Sequence, residues 1–475
     1  MAVCRVKRTW LSRAVFVWWA ILIVGCRTPF GASRPIPQGA YAGANVILIE
    51  LNPLRWDHVG LYGSSRGLTP MLDAFSSNAI RFEQAIAVAP WCVPGKLAMW
   101  TGLYPTTHGM HNKLMTSASG EVVPAVLSST IPTYPEALKA AGYAVVGFTG
   151  DAGVAGSFGF NRGFDRYVDD REFGGLDYAA PLAIEWLKTH TQQRFFLWLN
   201  GYDAHWHYEP PGGYQKRFCA TYRGRLTGRV EERKLLDDRI LETRFTKDAP
   251  SGLGFSSEDK AFYEALYDEK VQDADARLGR FLKSLDELGL TKNTIVVMFS
   301  GGGDEYFDHG FLGHGLTLYE EILHVPLLMR LPDRDAQQAI SQQVRLFDVF
   351  PTLFDLLGIR FDHPVQGVSL LPALNGQPLG LEAMAETRFR LSTHQYALRT
   401  ADSHYKLIYS QAPSKRVELY DLWKDPHEQD NIAAKQPRLT DELEQRLFQI
   451  IRLAQESGQA AQAQAASHRM YEHGS

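Results

Sequence analysis

The sequence predicts an α/β fold built around a mainly parallel sheet. Short runs of apolar residues alternate along the chain with helical patterns, and this alternation is typical of parallel strands joined by helical crossovers. The chain has 475 residues, of which 45% are apolar and 21% are charged, enough for one large core and an accessory piece. Its formal net charge is only −4, so we expect no nucleic-acid partner.

The first strand is predicted at 45–51, NVILIEL, because a continuous apolar run suits a strand that is buried on both faces. A helix is predicted over 70–80, and 133–150 is typical of a helix, a glycine stop and a strand. Two more helix–strand pairs are predicted, at 181–190 with 194–205 and at 262–289 with 293–300.

Functional residues of parallel sheets gather where the strands end, at the carboxyl edge. The segments that follow Leu51, Asn200 and Ser300 are therefore the predicted location of a site.

The predicted secondary structure changes near residue 380, from alternating helices and parallel strands to antiparallel strands and a closing helix. Runs at 395–410 and 416–425 are typical of antiparallel strands, and a closing helix places Leu443, Leu447, Ile450, Ile451 and Ala454 on one face. The predicted organisation is a signal peptide at 1–25, a tether at 26–43, a main domain at 44–379 with a charged insertion at 212–258, a small α/β subdomain at 380–465 and a tail at 466–475.

The N-terminus has the pattern of a secretory signal. Four basic residues precede a 12-residue apolar run at 14–25, which is short for a membrane span. The sequence Ile23-Val24-Gly25-Cys26 resembles a bacterial lipobox, and this resemblance implies cleavage before Cys26 and a lipid on that cysteine. It predicts a periplasm-facing lipoprotein of the bacterial cell envelope, with Arg27 favouring the outer membrane. An ordinary signal peptide and an uncleaved anchor are the alternatives.

Eight segments in order, from about 44 to 435, resemble successive landmarks of the sulfatases, the arylsulfatase branch of the alkaline-phosphatase superfamily. They are NVILIELNPLRWDHVGLYG, TPMLDAFSSNAIRFEQAIA, WCVPGKLAMWTGLYPTTHG, YDAHWHYEPP, FDHGFLGHGLTLYEEILHVPLLM, FDVFPTLFDLLGI, VQGVSLLPAL and ELYDLWKDPHEQDN. The resemblance implies an alkaline-phosphatase-like α/β/α sandwich that hydrolyses sulfuric esters. It also implies that Cys92 becomes formylglycine and that a calcium ion holds this nucleophile and the sulfate oxygens.

The sequence departs from that pattern at the positions of the implied metal ligands. The resemblance implies aspartate ligands after the first strand, where the chain has Asn52 and Pro53. It implies an aspartate followed by a histidine or asparagine after a late strand, where the chain has Gly301 and Gly302. Glu50 faces the same side of its strand as Asn52, and a carboxylate inside an apolar strand needs a partner, for which Lys96 is the simplest choice. Calcium is therefore expected to be lost, unless Glu50 and Asn52 belong to a rebuilt metal site.

Some residues around the implied nucleophile match the sulfatase pattern and others do not. The resemblance places Cys92, Lys96, His108, His205 and His314 at catalytic positions, although Lys96 replaces an arginine and Leu316 a lysine. Lysine keeps the charge but lacks the planar fork of arginine, so formylglycine formation is in doubt. His205 is expected at the substrate oxygen or in a local loop contact. His108 and His314 are expected to order loops, Lys113 to lie at the surface, and Asp304, Glu305 and Asp308 to form a solvated acidic loop.

Three functions remain open from the sequence. The first is a non-catalytic lipoprotein that binds a sulfated or anionic glycan or a small ester. The second is an active sulfate or phosphonate ester hydrolase with a remodelled site. The third is a structural envelope protein. The state of Cys92 also remains open, because it is modified, free or paired with Cys219.

Overall fold

The structure, a computed structural model, describes residues 35–116, 120–206, 209, 213–229, 231–232, 235, 255–334, 337–389, 393–412 and 414–472, with side chains up to residue 458. The predicted signal peptide and lipidation site, Cys26, lie outside the described residues, as does about half of the predicted insertion at 212–258. Residues Ile36–Ser475 form one compact unit. In the part of the chain that the structure describes, no helix is both long and apolar enough to cross a membrane.

A central sheet of eight strands confirms the predicted α/β fold. The strands have the order β12-β2-β11-β8-β1-β7-β5-β6, and β11 runs antiparallel to both of its neighbours while the other pairs are parallel. Their bounds are β1 Asn45–Leu51, β2 Ile80–Ile86, β5 Ala144–Thr149, β6 Arg166–Val168, β7 Phe195–Gly201, β8 Thr294–Phe299, β11 His324–Arg330 and β12 Gln338–Arg345.

Helices cover both faces of this sheet. Alternate residues of β1 belong to two separate apolar clusters, with Val46 and Leu48 in one and Ile47 and Ile49 in the other. Because strand neighbours point to opposite faces, the two clusters are the two interfaces of an α/β/α sandwich. The helices are Pro70–Phe75, Cys92–Thr101, Pro105–His108, Tyr134–Ala140, Leu176–His190, Ser257–Glu287, Glu320–Leu323, Val349–Leu357, Leu371–Leu374 and Pro437–Glu472.

The C-terminal part contains a small antiparallel sheet and the closing helix. Its strands are β13 Ala383–Thr387, β14 His394–Arg399, β15 Tyr405–Ala412 and β16 Arg416–Asp421, paired in chain order. The predicted face of the closing helix is buried at Leu443, Leu447, Ile451 and Ala454. Two short hairpins complete the strands, β3 Leu114–Thr116 with β4 Val122–Pro124, and β9 Glu305–Tyr306 with β10 Leu312–Gly313.

The predicted helix at 70–80 ends earlier than expected. It stops at Phe75, a short 3-10 turn follows, and β2 begins at Ile80. The hydroxyls of Ser76 and Ser77 donate to the carbonyl oxygens of Asp73 and Ala74, which is how serine competes with helix hydrogen bonds.

Candidate active site

Cys92 lies at the start of a helix, beside the carboxyl edge of the sheet. Trp91 is extended and Cys92 is the first residue of the helix Cys92–Thr101, with Pro94 in the first turn, where a proline costs no helical hydrogen bond. The Cys92 thiol is 7% exposed and accepts a hydrogen bond from the Asn52 amide, with 3.4 Å between Nδ2 and Sγ. Both Cys92 and Cys219 are free cysteines, so the structure contains no bond between them.

Lys96, one helical turn further, is buried between two carboxylates. Its Nζ lies 2.7 Å from Oδ2 of Asp151 and 3.2 Å from Oε1 of Glu50, and the three side chains are at most 1% exposed. Burial raises the pKa of Glu50 to about 7, although Lys96 opposes that rise. Burial alone would lower the pKa of Lys96, but Asp151, Cys92 and Glu50 together raise it well above its ordinary value. Lys96 is therefore a permanent internal cation.

Asp151 follows β5 at the sheet edge and is held from three sides. It accepts a hydrogen bond from the Gly153 backbone at 2.6 Å and one from the Asn200 amide at 3.4 Å, in addition to the Lys96 contact. Burial would raise the pKa of Asp151, but Lys96 and these donors hold it below its ordinary value. Asp151 is thus a fixed anion that lies near the middle of the site.

Glu50 occupies the space that a side chain at position 301 would need. A Cβ built on Gly301 would lie 2.6 Å from Oε1 of Glu50 and 3.3 Å from Cε of Lys96. Glu50 in its present position and an acidic side chain at 301 therefore exclude each other unless one of them shifts.

The residues at the implied metal positions do not fit a calcium ion. Calcium takes six to eight oxygen ligands, largely carboxylate. Asn52 supplies a neutral amide, Pro53, Gly301 and Gly302 supply no side-chain oxygen, and the Glu50 carboxylate faces the Lys96 ammonium.

One group of metal-ligand type is found within the described ranges, and its members already bond to one another. It consists of Glu305, His309 and Glu321. Nδ1 of His309 lies 2.7 Å from Glu321, and Glu305 accepts hydrogen bonds from the His309 and Phe311 backbones and the Thr317 hydroxyl. The group orders the segment around it, and nothing in these contacts points to an ion.

His314 forms a second charged pair beside Cys92. Its Nδ1 lies 2.7 Å from Oδ1 of Asp304, and the ring lines the same cavity as Cys92. Asp304 is fully buried and accepts a further hydrogen bond from the Tyr306 hydroxyl at 3.0 Å. Burial would lower the pKa of His314, but the hydrogen bond and charge of Asp304, together with the nearby Cys92 side chain, raise it to about 10. His314 is therefore a cation at neutral pH.

The structure corrects the expectation of a solvated acidic loop at 304–308. Asp304 and Glu305 are fully buried, and Asp308 forms an ion pair with buried Arg55 at 2.8 Å. Each of these carboxylates has a cationic or hydrogen-bonding partner, which is what allows it to leave water.

His205 lies in the same cavity as Cys92 and His314. It is 5% exposed, stacks on Tyr202 at 3.9 Å between ring centroids, and meets the His314 ring edge-on at 4.9 Å. Its backbone carbonyl accepts a hydrogen bond from buried Lys270 at 2.6 Å, which fixes the loop after β7. This location is compatible with both sequence-based roles of His205.

His108 connects the loop that follows it to the first turn of the helix that begins at Cys92. Nδ1 accepts from the Met110 backbone at 3.1 Å, and Nε2 lies 3.2 Å from the Pro94 carbonyl oxygen. Burial lowers the pKa of His108 to about 4, so the neutral ring donates through Nε2. These contacts agree with the loop-ordering role expected for His108.

A cavity of about 900 Å³ opens above these groups. Cys92, Asp151, His205 and His314 line its interior, while Lys113, Asp169 and Glu172 are exposed around it. Much of the remaining lining is aromatic: Trp91, Phe158, Phe173, Tyr202, Trp206 and Phe389. Asp151 and these aromatic residues were not predicted from the sequence as site residues. The carboxyl-edge rule applied after β5 would have pointed to Asp151.

The chain resembles known proteins over most of its length. Residues 44–359 match the Sulfatase family, and residues 305–453 match the N-sulphoglucosamine sulphohydrolase, C-terminal family. Arylsulfatase K of Canis lupus familiaris is 25% identical over 474 residues, covering 89% of this chain and 85% of the relative. Relatives of this family typically use a metal and formylglycine.

Two solved structures share the fold. A phosphonate monoester hydrolase of Agrobacterium radiobacter has a TM-score of 0.69 at 20% identity and covers 86% of this chain and 96% of its own. A protein in complex with its substrate, D-glucosamine-2-N,6-O-disulfate, has a TM-score of 0.65 at 20% identity and covers 88% and 98%. The Sulfatase family match spans about two thirds of the chain. It includes Cys92 and the two charged pairs near it, Lys96 with Asp151 and His314 with Asp304. The chain therefore belongs to the sulfatase family of the alkaline-phosphatase superfamily.

Proposed function

We propose that the protein binds a sulfated or otherwise anionic saccharide ester in the cavity beside Cys92 and does not carry out calcium-dependent sulfate-ester hydrolysis. The observation that carries the proposal is the buried ammonium of Lys96, 3.2 Å from Glu50 and 2.7 Å from Asp151. A carboxylate that already balances an internal cation is a poor ligand for a second one. Without a divalent ion, the negatively charged sulfate ester and its nucleophile would repel each other unscreened.

The charges of the cavity support an anionic ligand with a definite orientation. His314, with its pKa raised to about 10, supplies a positive charge at the buried end. Asp169, Glu172 and Lys113 are exposed around the cavity, so no single sign of charge prevails there. The anionic group is therefore expected next to His314, and the sugar rings next to the aromatic lining, on which they can stack.

An active sulfate or phosphonate ester hydrolase with a remodelled site is the second candidate. It is favoured by the presence of Cys92, His205 and His314 in one cavity, close enough for the two imidazole rings to touch at 4.9 Å. Such an enzyme would require formylglycine at Cys92 and a cation other than Lys96 to hold the ester.

Three measurements on one purified sample test the proposal. Peptide mass spectrometry around Cys92 and metal analysis are expected to give an unmodified thiol and no stoichiometric calcium. Calorimetry with a sulfated disaccharide is expected to show binding that His314→Gln weakens about tenfold or more. Lys188→Met is the matched control, because Lys188 is an exposed lysine that pairs only with its helical neighbour Glu185.

Other outcomes would overturn the proposal. Formylglycine together with stoichiometric calcium would favour the active hydrolase. Absence of both binding and turnover across a panel of sulfated saccharides would favour the structural envelope protein.

We further propose that a lipid on Cys26 anchors the protein in the bacterial envelope, facing the periplasm. The support is the lipobox-like sequence and the Gly- and Pro-rich tether at 26–43. Incorporation of labelled palmitate that Cys26→Ser abolishes is the expected result. A processed but unlabelled protein would contradict it.

A further inference from the structure

A second cavity, of about 490 Å³, is lined by residues of both the central sheet and the small C-terminal sheet. Its lining comes from the loop after β1, from β2, from the start of β11, from the end of β14 and from the segment after β16. It has no lining residue in common with the cavity beside Cys92. Its volume lies within the range of roughly 300 to 1,000 Å³ that is typical of small-molecule sites.

Arg399, the last residue of β14, brings a buried cation to this second cavity. Its side chain is 6% exposed, and its Nη2 donates a hydrogen bond to Oε1 of Gln84 and lies 3.5 Å from Oε2 of Glu320. Nε and Nη1 of the same guanidinium have no hydrogen-bond partner in the part of the chain that the structure describes. A guanidinium keeps its charge and has more N–H donors than these two contacts use, so Arg399 can still bind acceptor oxygens.

Arg81 of β2 supplies a second guanidinium to the same lining. Its Nη1 donates to the Leu61 carbonyl oxygen at 2.6 Å and its Nη2 to Glu83 at 2.5 Å, whereas its Nε has no hydrogen-bond partner among the described residues. The groups that the two arginines leave unsatisfied are therefore donors only. A ligand that satisfies them must bring acceptor oxygens, and hydrogen bonds from a cation favour an anionic oxygen over a neutral one.

The carboxylates of the lining limit the charge of such a ligand. Arg81 already pairs with Glu83. Glu320 pairs with both Arg399, at 3.5 Å, and Lys406, at 3.1 Å. Burial would raise the pKa of Glu320, but these two cations hold it below its ordinary value, so Glu320 is an anion at neutral pH. The two carboxylates would repel a doubly charged ligand more strongly than a singly charged one.

Two tryptophans give the second cavity flat apolar surfaces. Trp56 stacks on His324, with 4.7 Å between the ring centroids. Trp423 stacks on His404 at 4.0 Å and is nevertheless 67% exposed. Because stacking already holds these rings in place, a sugar ring can pack against them with little loss of side-chain freedom.

We propose that this cavity is a second saccharide-binding site, which holds a sugar residue that carries one singly charged oxyanion. Arg399 and Arg81 bind the carboxylate or sulfate-ester oxygens of that residue, and its ring packs on the exposed Trp423. The site is separate from the cavity beside Cys92, so it goes beyond the proposed function and does not depend on it.

Calorimetry on the full chain with D-glucuronic acid, glucose 6-sulfate and glucose tests the proposal. We expect at least one of the two acidic sugars to bind about tenfold more tightly than glucose or better, which is the effect of a hydrogen bond from a charged group. The acidic sugar that binds more tightly identifies the preferred oxyanion as a carboxylate or a sulfate ester. Equal binding of all three sugars, or no binding of either acidic sugar, would overturn the proposal.

Variants of the lining locate the bound sugar. Arg399→Gln is expected to weaken binding of the acidic sugar about tenfold or more, and Trp423→Ala roughly threefold to tenfold. Arg446→Gln is the matched control, because Arg446 pairs with Glu382 on the surface and lines neither cavity. If Arg399→Gln lowers the unfolding midpoint, Arg81→Gln takes its place, since the Arg81 side chain is already 24% exposed. Binding that neither arginine variant weakens would contradict the proposal.

His314→Gln separates the two cavities. It is expected to weaken binding of a sulfated disaccharide beside Cys92 and to leave binding of the acidic sugar at Arg399 unchanged. Binding of the acidic sugar that is lost in His314→Gln and kept in Arg399→Gln would overturn the second site and leave the proposed function intact. A sulfated disaccharide that binds His314→Gln normally, but no longer binds Arg399→Gln, would contradict the proposed function and support the second site.

Discussion

Replacing Lys96 by methionine is expected to destabilise the protein by roughly 3 to 5 kcal/mol, because it leaves an uncompensated charge in the interior. Methionine fills similar space but removes the ammonium that lies 2.7 Å from Asp151 and 3.2 Å from Glu50. Both carboxylates are at most 2% exposed, so water cannot replace the lost partner.

The loss of unfolding free energy caused by Lys96→Met should depend on pH. The pKa of Glu50, already raised to about 7 by burial, would rise further without Lys96, so Glu50 would take up a proton. Asp151, whose pKa lies below its ordinary value while Lys96 is present, would remain the costly charge. We therefore expect a larger loss at pH 8 than at pH 5.5, where Glu50 is protonated even in the unsubstituted protein.

Urea unfolding followed by tryptophan fluorescence at the two pH values measures these free energies. Lys113→Met is the matched control, since Lys113 is exposed, and its effect should stay within about 0.5 kcal/mol. Adding Asp151→Asn to Lys96→Met should recover part of the loss. A loss below about 1 kcal/mol at both pH values would refute the assignment of Lys96 as a desolvated, ion-paired cation.

Three further predictions concern the same cluster. The pKa of Glu50 is raised from 4.5 to about 7, so its contribution to the unfolding free energy is full below pH 4.5 and is lost as the pH rises through 7, by roughly 3 kcal/mol in all. Glu50→Gln should remove this pH dependence of the unfolding free energy in urea titrations. An unchanged pH dependence would contradict the prediction. Gly301→Asp should destabilise by roughly 2 kcal/mol, because it buries a second carboxylate beside Glu50, whose Oε1 lies 2.6 Å from the added Cβ and would have to move away from its present position. Glu50→Ala should recover part of this loss in the same assay. Thermal melts in excess calcium and in chelator should coincide, whereas a bound ion at 100 times its Kd would add about 2.7 kcal/mol and separate them.

The sequence was sufficient for the fold class because the central parallel strands β1, β7 and β8 are continuous apolar runs. The run at 45–51 coincides with β1, Asn45–Leu51, since a strand buried on both faces is apolar at every position. The long helix predicted at 262–289 is found at Ser257–Glu287. β2 was missed because IRFEQAI follows a helix directly and alternates in burial, so its neighbours in the sheet, and no local signal, fix it as a strand.

The site was predicted only where its residues share an element or a motif. Lys96 was expected as the partner of Glu50, because a buried carboxylate needs a cation and Lys96 follows Cys92 in the same motif. Asp151 was not expected, since it reaches Lys96 only because β5 lies next to β7. The order of strands in a sheet cannot be predicted from the sequence of a single strand. Asp304 was mistaken for a solvated residue because its partner, His314, lies ten residues further on, across a hairpin.

The substitutions around Cys92 belong together physically. Glu50 can fill its present position only because residue 301 has no side chain, and Glu50 is tolerable there only because Lys96 lies 3.2 Å away. Lys96 in turn is held by Asp151, so one internal ammonium balances carboxylates from two neighbouring parts of the sheet edge. Restoring a single acidic residue would add a negative charge and a steric clash to a cluster that is already satisfied. A return to metal binding would therefore require changes at 50 and 301 at least, together with a new partner for Asp151, and no single substitution on that route is expected to be neutral.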